Sequence, residues 1–380
     1  MNKLLKKMDP KESMIGFLIA LALLLAMPFI AKAVGGTTWV RIVDMTLLYI
    51  MLAMGLNIVV GFAGLLDLGY IAFYAVGAYM VALLSSSHLS DNFEWAKNAF
   101  PTGLHVPLWV IVPLGAALAA LAGIMLGTPI LKLRGDYLAL VTLGFGEIIR
   151  IFMNNLGKND FNLTNGPRGI NRIDPVTVFG YPLDKTIEIG GYKLTKEFLY
   201  YYLFLILAAA TVFVCYRLQK SRLGRAWMAL REDDIAAKAM GINVRNIKLL
   251  AFSLGATFGG IAGGMFASFQ GFVSPESFTY MESIVILAMV VLGGMGHIPG
   301  VVLGAVIMYF LPEFLRFTVE PMQKAMFGKV LLDTAILRQM LLGLAMILIM
   351  LYRPKGLWPT PTREDKKDVV STDKTANTPA

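Results

Sequence analysis

The chain has 380 residues, of which 57% are hydrophobic and only 16% charged, and its mean hydropathy is +0.65. Its apolar runs of about 20 residues match a bilayer core about 30 Å thick, which excludes an ordinary soluble globular domain. The single cysteine, Cys215, excludes an internal disulfide, and the net charge of +9 sits at segment ends instead of in an aromatic-laced patch, which excludes nucleic acid as a partner.

The expected fold is all-α, a polytopic helical membrane protein with about ten transmembrane segments and broken or re-entrant helices. A spanning barrel needs strands that alternate apolar and polar residues, and runs such as "FLYYYLFLILAAATVFVCY" do not alternate. Residues 1–13 read as a basic N-terminus. The run from Met14 to Ala31, with "AKA" at 31–33, imitates a signal peptide but exceeds a usual signal core, so an uncleaved first helix is expected. Spans follow over 14–34, 43–60, 68–84, 107–127, 138–154, 198–217, 248–272, 282–294, 300–317 and 335–352, making one transmembrane domain over 14–352. Segments 1–13, 128–137, 217–248 and 353–380 hold 20 of the 34 Lys and Arg, which places both termini and the loop 218–247 in the cytoplasm. The outer loop 155–197 is too small for a catalytic domain. The tail 353–380 has no apolar face from Arg363 onward and is expected to be disordered.

The run 282–294 spans only about 20 Å at 1.5 Å per residue, too short to cross alone. The glycines after it, in "LGGMGHIPGVVLGA" (292–305), fit a helix break, and a similar join lies in "GFAGLLDLGYIAFYAVGAY" (61–79). Two such joins in the two halves point to a transport path with Asp67, Gly69, Tyr70, Gly293, Gly294 and Gly296 as its candidate residues. Plain turns between hairpin helices are the alternative. Within 248–272, Gly255, Gly259 and Gly263 share a helix face, with Gly260 and Gly264 beside it, and let another helix approach closely.

Ionisable residues in spans can mark ion routes. Glu147 and Arg150, like Glu313 and Arg316, are three apart and can neutralise each other. Asp44, Glu282 and Arg338 fall near span ends, within reach of water. No phosphate loop exists, since Gly328-Lys329 is followed by Val330 and lacks the upstream glycine, so the chain is expected to bind no ATP itself. His88, His105 and His297 form no metal-site spacing, and no metal is expected.

One stretch stands apart. "REDDIAAKAMGINVRNIK" (231–248) packs Arg231, Lys238, Arg245 and Lys248 against Glu232, Asp233 and Asp234 between two apolar spans. Read as one helix from about Arg225, it puts Ile235, Ala236, Ala239 and Met240 on one face and Arg231, Asp234 and Lys238 on another. Asp234 precedes Lys238 at the favourable i,i+4 spacing, and Gly241 is the C-terminal cap. A helix on the anionic inner leaflet would carry similar charge, but an apolar face made mostly of alanine is too shallow to anchor in lipid and suits a protein groove.

"AAKAMG" (236–241) resembles the docking loop by which bacterial ABC importer permeases meet their ATPase subunits. More closely, "GRAWMALREDDIAAKAMGINVRNIKLLAFSLGA" (224–256), "LRGDYLALVTLGFGEIIR" (133–150), "LDLGYIAFYAVGAY" (66–79) and "VVLGGMGHIPGVVLGA" (290–305) resemble the LivM-type permeases of branched-chain amino-acid importers, from Leu47 to Trp358. Ile235 stands where the general importer motif has Glu, and Asn165 where the family usually has Gly. The resemblance implies a non-enzymatic permease subunit of the bacterial inner membrane that moves branched-chain amino acids inward. It implies a second, LivH-like permease, two ATPase subunits that bind the ATP, an external substrate-binding protein and membrane lipid as partners, and no cofactor of its own. Ala236, Ala237 and Gly241 match the docking motif; Arg231, Glu232 and Asp234 join them as expected polar contacts to the ATPase. Urea or short-chain amides as substrate, and an ion-coupled carrier with Asp67 essential, are the alternatives.

Overall fold

The computed structural model describes residues 10–130, 133, 135–157, 162–178, 181–189, 192–327 and, in pieces, 339–358. In chain order it contains α1 (Pro10–Gly35), α2 (Thr37–Asn57), which a π-helical turn extends over Ile58–Phe62, α3 (Ile71–Leu84), the short α4 (His88–Asn92) and α5 (Glu94–Ala99), α6 (Leu108–Ile130) and α7 (Asp136–Asn155). Short strands β1 (Ile170–Asn171), β2 (Thr177–Val178), β3 (Tyr181–Pro182), β4 (Ile187–Ile189) and β5 (Tyr192–Leu194) fold the loop after α7. Then come α8 (Lys196–Lys220), α9 (Arg222–Glu232), α10 (Asp234–Ala239), α11 (Val244–Gln270), β6 (Phe272–Val273), α12 (Tyr280–Gly293) and α13 (Ile298–Phe327).

Among the described residues, six helical segments are long and apolar enough to cross a membrane: Thr37–Phe62, Leu108–Ile130, Lys196–Lys220, Val244–Gln270, Pro275–Gly293 and Ile298–Gln323. The fold is thus all-α and polytopic. Each of the first nine expected spans coincides with a helix. The tenth, 335–352, lies largely outside the described residues, as do most of 1–13 and of the tail.

α2 and α11 form the centre, α11 packing against α6, α3 and α2, and α2 against α8, α13 and α1. The glycines of α11 explain the closeness, because they serve two faces. A Cβ on Gly263 would sit 2.0 Å from the Tyr74 carbonyl oxygen of α3, and one on Gly259 would sit 3.2 Å from the Phe73 Cβ. On the adjoining face a Cβ on Gly260 would meet the Ala119 Cβ of α6 at 2.7 Å. Backbones that approach this closely gain dispersion contacts where lipid offers no hydrophobic drive.

Two helices, α3 and α12, have 14 residues each, which at 1.5 Å per residue is about 21 Å and less than a bilayer core. α3 follows the expected join, with a π-helical turn and then the non-helical chain 63–70. For α12 the break lies elsewhere than in the glycines that follow it. Gly271, left-handed at φ 70°, ends α11, β6 pairs antiparallel with β1, and Pro275 opens a single 3-10 turn before α12 begins. The later glycines serve a tight reversal into α13, with Gly294 and Gly296 at φ 111° and 84°, values that side chains disfavour. Residues 356–358 lie along the end of α12, where the Leu357 and Trp358 N–H groups donate to the carbonyls of Leu292 and Gly293 at 2.8 and 3.3 Å. Those carbonyls have no partner within the helix.

The N-termini of the two half-helices meet, the Ile71 N–H donating to Ser283 Oγ at 3.1 Å. From there α3 runs toward the 156–195 face and α12 toward the face that carries α9 and α10.

Candidate functional site

The charged stretch is two helices, not one. Ser221 caps α9, its Oγ accepting from the Gly224 N–H at 3.2 Å. The buried Trp227 donates its indole N–H to the Ile247 carbonyl at 2.9 Å, pinning α9 to the first turn of α11. At Asp233 the chain turns extended, and the carboxylate accepts the N–H groups of Ile235 and Ala236 at 2.8 and 3.0 Å. These two bonds, Ala236 first, hold its carboxyl below the usual carboxylate range. An aspartate that caps a new helix this way ends the preceding one, and that local competition breaks the single helix that periodicity suggests. Asp234 correspondingly pairs with Lys248 at 3.1 Å, across the loop, instead of with Lys238 four residues on.

Ile235 and Met240 are 70% and 83% exposed, and Ala236 and Ala239 lie beside them, so the expected apolar ridge does face outward. Glu232 and Gly241 are exposed as well, Gly241 taking the positive φ of a C-terminal cap. Ala237, 4% exposed, points into the chain. Arg231 also turns inward, its Nη1 donating to the Gly61 carbonyl at 2.7 Å while its stem lies over Gly64.

That contact joins the loop to both glycine joins. Gly296 N–H donates to Asn57 Oδ1 at 2.9 Å, and Gln219 Nε2, near the end of α8, donates to the Gly296 carbonyl at 3.0 Å. A Cβ on Gly61 would sit 2.5 Å from the Gly296 nitrogen, so the two joins, far apart in sequence, press backbone against backbone. Arg231 closes the clasp from the loop side.

The other expected path residues are buried in the same joins. Asp67 Oδ1 accepts the Gly69 N–H at 2.9 Å, and Thr142 of α7 accepts the Leu68 N–H at 3.0 Å. The Tyr70 hydroxyl donates to the Gly255 carbonyl at 3.1 Å. Cβ atoms on Gly69 and Gly293 would sit 2.1 and 2.2 Å from the carbonyl oxygens of Thr142 and Gly300. Gly293, Gly294 and Gly296 are buried together at the reversal.

Two ionisable residues sit deeper than expected. Asp44 is fully buried in α2, and among the described residues neither of its carboxylate oxygens has a hydrogen-bond partner. Glu282 accepts from the Tyr49 hydroxyl at 2.8 Å, and Tyr49 is midway along Thr37–Phe62, so Glu282 lies at mid-depth. Its position follows from the irregular descent over 271–279, broken by a single 3-10 turn, which carries no hydrophobic periodicity to read. The expected pairs do form: Arg150 Nη2 with Glu147 at 2.9 Å, and Arg316 with Glu313 at 3.9 Å.

Residues 38–350 match the family model described as "Branched-chain amino acid transport system / permease component". The chain is 42% identical over 356 residues to the high-affinity branched-chain amino acid transport system permease protein LivM of Escherichia coli, covering 90% of this chain and 74% of the relative. LivM of Salmonella typhimurium is similar to the same extent. LivH of Escherichia coli is 25% identical over 68% of this chain and 79% of its own length. No solved structure matches.

Proposed function

Since the chain belongs to the branched-chain amino acid transport permease family, we propose that it is the LivM-type permease subunit of an ATP-driven importer that carries branched-chain amino acids across the inner membrane into the cell. Its partners are a LivH-like second permease, two ATPase subunits at the α9–α10 loop and an external binding protein at the 156–195 face. Both termini are cytoplasmic.

The observation that carries the coupling mechanism is the Arg231 clasp. The exposed ridge Ile235, Ala236, Ala239 and Met240 enters a groove of the ATPase, and movement of that groove displaces α9 and α10 as a unit, because Trp227 and the Asp234–Lys248 pair tie them to the start of α11. Arg231 and Gln219 transmit the displacement to Gly61 and Gly296. These lie at the ends of α2 and α12, so one push shifts both broken regions together. Alternating access needs two such backbone arrangements of similar energy, and packed interfaces tend to switch between discrete states.

The test is reconstitution of the complex in proteoliposomes with the binding protein outside. Leucine uptake that requires internal ATP and persists with an uncoupler is the expected result. Uptake by this chain without the ATPases, abolished by the uncoupler, overturns the proposal in favour of an ion-driven carrier.

A further inference from the structure

Glu282 occupies an unusual position for a carboxylate. It lies in the first turn of α12 at the depth of Tyr49, and among the described residues its carboxylate bonds only the Tyr49 hydroxyl and forms no ion pair. Beside it Tyr280, Met281 and Ile284 are 42%, 45% and 39% exposed on the flank of the chain. A carboxylate opening onto lipid at mid-depth is strongly disfavoured, so such groups face a partner or an aqueous cavity. Toward the 156–195 side, a cavity of about 390 Å³ adjoins this turn, lined by Leu143, Glu147, Arg150, Glu276, Thr279 and Tyr280. Its one cation, Arg150, is already shared by Glu147 and Glu276 at 2.9 and 3.3 Å, leaving the lane net negative.

A cavity lined by two glutamates, one arginine, leucine, threonine and tyrosine, with Glu282 in the adjoining turn of α12 beside Met281 and Ile284, suits the ammonium end of a small aliphatic molecule. The Tyr49 and Tyr309 rings, 4.8 Å apart, add faces that attract an ammonium group. Resting on the importer reading above, we infer that Glu282 receives the α-ammonium group of the amino acid at mid-membrane, in a water-filled lane formed by α7, the turn at 275–277 and the start of α12, which the second permease closes. A purely structural role would have Glu282 offset the dipole of α12. It would require neither water nor selectivity for cations.

The distinguishing measurement uses the whole complex with Cys215→Ser and Met281→Cys, labelled by methanethiosulfonate reagents that carry either an ammonium or a sulfonate head. The ammonium reagent is expected to react at least fivefold faster, and adding Glu282→Gln to remove that preference. In parallel, Glu282→Gln alone is expected to lower leucine uptake at least tenfold with ATPase association unchanged, and Glu282→Asp to restore part of it. Absence of labelling, equal rates for the two heads, or uptake by Glu282→Gln within twofold of wild type overturns the inference while leaving the importer reading intact. Failure of the wild-type complex to take up leucine with ATP overturns the importer reading and the amino-acid assignment with it, and the labelling preference then decides by itself whether a cation site exists.

Discussion

Replacing Arg231 with methionine keeps most of the aliphatic stem that covers Gly64 but removes the guanidinium that holds the Gly61 carbonyl at 2.7 Å. A hydrogen bond from a charged donor contributes about 1.5–3 kcal/mol net, and the exposure of this side chain favours the lower end. At 1.4 kcal/mol per factor of ten, about 1.5 kcal/mol weakens the mechanical link roughly tenfold. The assay is the reconstituted complex, with ATPase co-purification, ATP hydrolysis driven by loaded binding protein, and leucine uptake measured on one preparation. Co-purification and hydrolysis are expected to persist while leucine transported per ATP falls about tenfold, because Arg231 acts within this chain. If the ATPase subunits dissociate in proportion to the lost uptake, Arg231 contacts the ATPase instead. If transport per ATP stays within twofold, the clasp plays no part in coupling.

Gly263→Ala forces a methyl group to within 2.0 Å of the Tyr74 carbonyl, and overpacking of this kind costs about 1–3 kcal/mol. It should lower the thermal midpoint of the detergent-solubilised protein, while Gly144→Ala, with open space at its Cβ, should leave it unchanged. Met240→Glu, at a position 83% exposed on the ridge, should reduce ATPase co-purification at least tenfold at an unaltered midpoint, whereas Ala237→Glu, at a position 4% exposed, should lower the midpoint itself. Retained association and uptake in Met240→Glu would refute the docking ridge. On the opposite face, His105 Nδ1 lies 2.6 Å from Asp174 Oδ2, and that bond, with a second to the Thr102 carbonyl, raises the His105 pKa above its usual 6.5. A raised pKa contributes stability that is fully present below the unfolded value, near 6.5, and is lost as pH rises through the folded one. The amide protection factors in 85–107 and 170–178, exchange corrected for its intrinsic rise with pH, should therefore fall over that range in wild type, and Asp174→Asn should abolish the fall.

Apolar run length by itself determined the helical membrane class, because a bilayer demands about 20 residues with internal hydrogen bonding whatever the neighbours are. The glycine spacing of α11 and the outward ridge of α10 were legible for a similar reason, since helical periodicity assigns residues to faces locally. What a side chain bonds across the fold was not. Arg231 reads as a surface charge until α9 is set against the end of α2, and the two glycine joins read as separate breaks until Gly61 and Gly296 are seen in contact. The helix boundary at Asp233 turned on a choice between continuing one helix and capping the next, which differ by about 1 kcal/mol. Only the tertiary structure decided the depth of Glu282, because it depends on an irregular descent secured by pairing β6 with β1, a hundred residues earlier in the chain. Periodicity is a property of neighbours in sequence, whereas depth in the bilayer follows from long-range contacts.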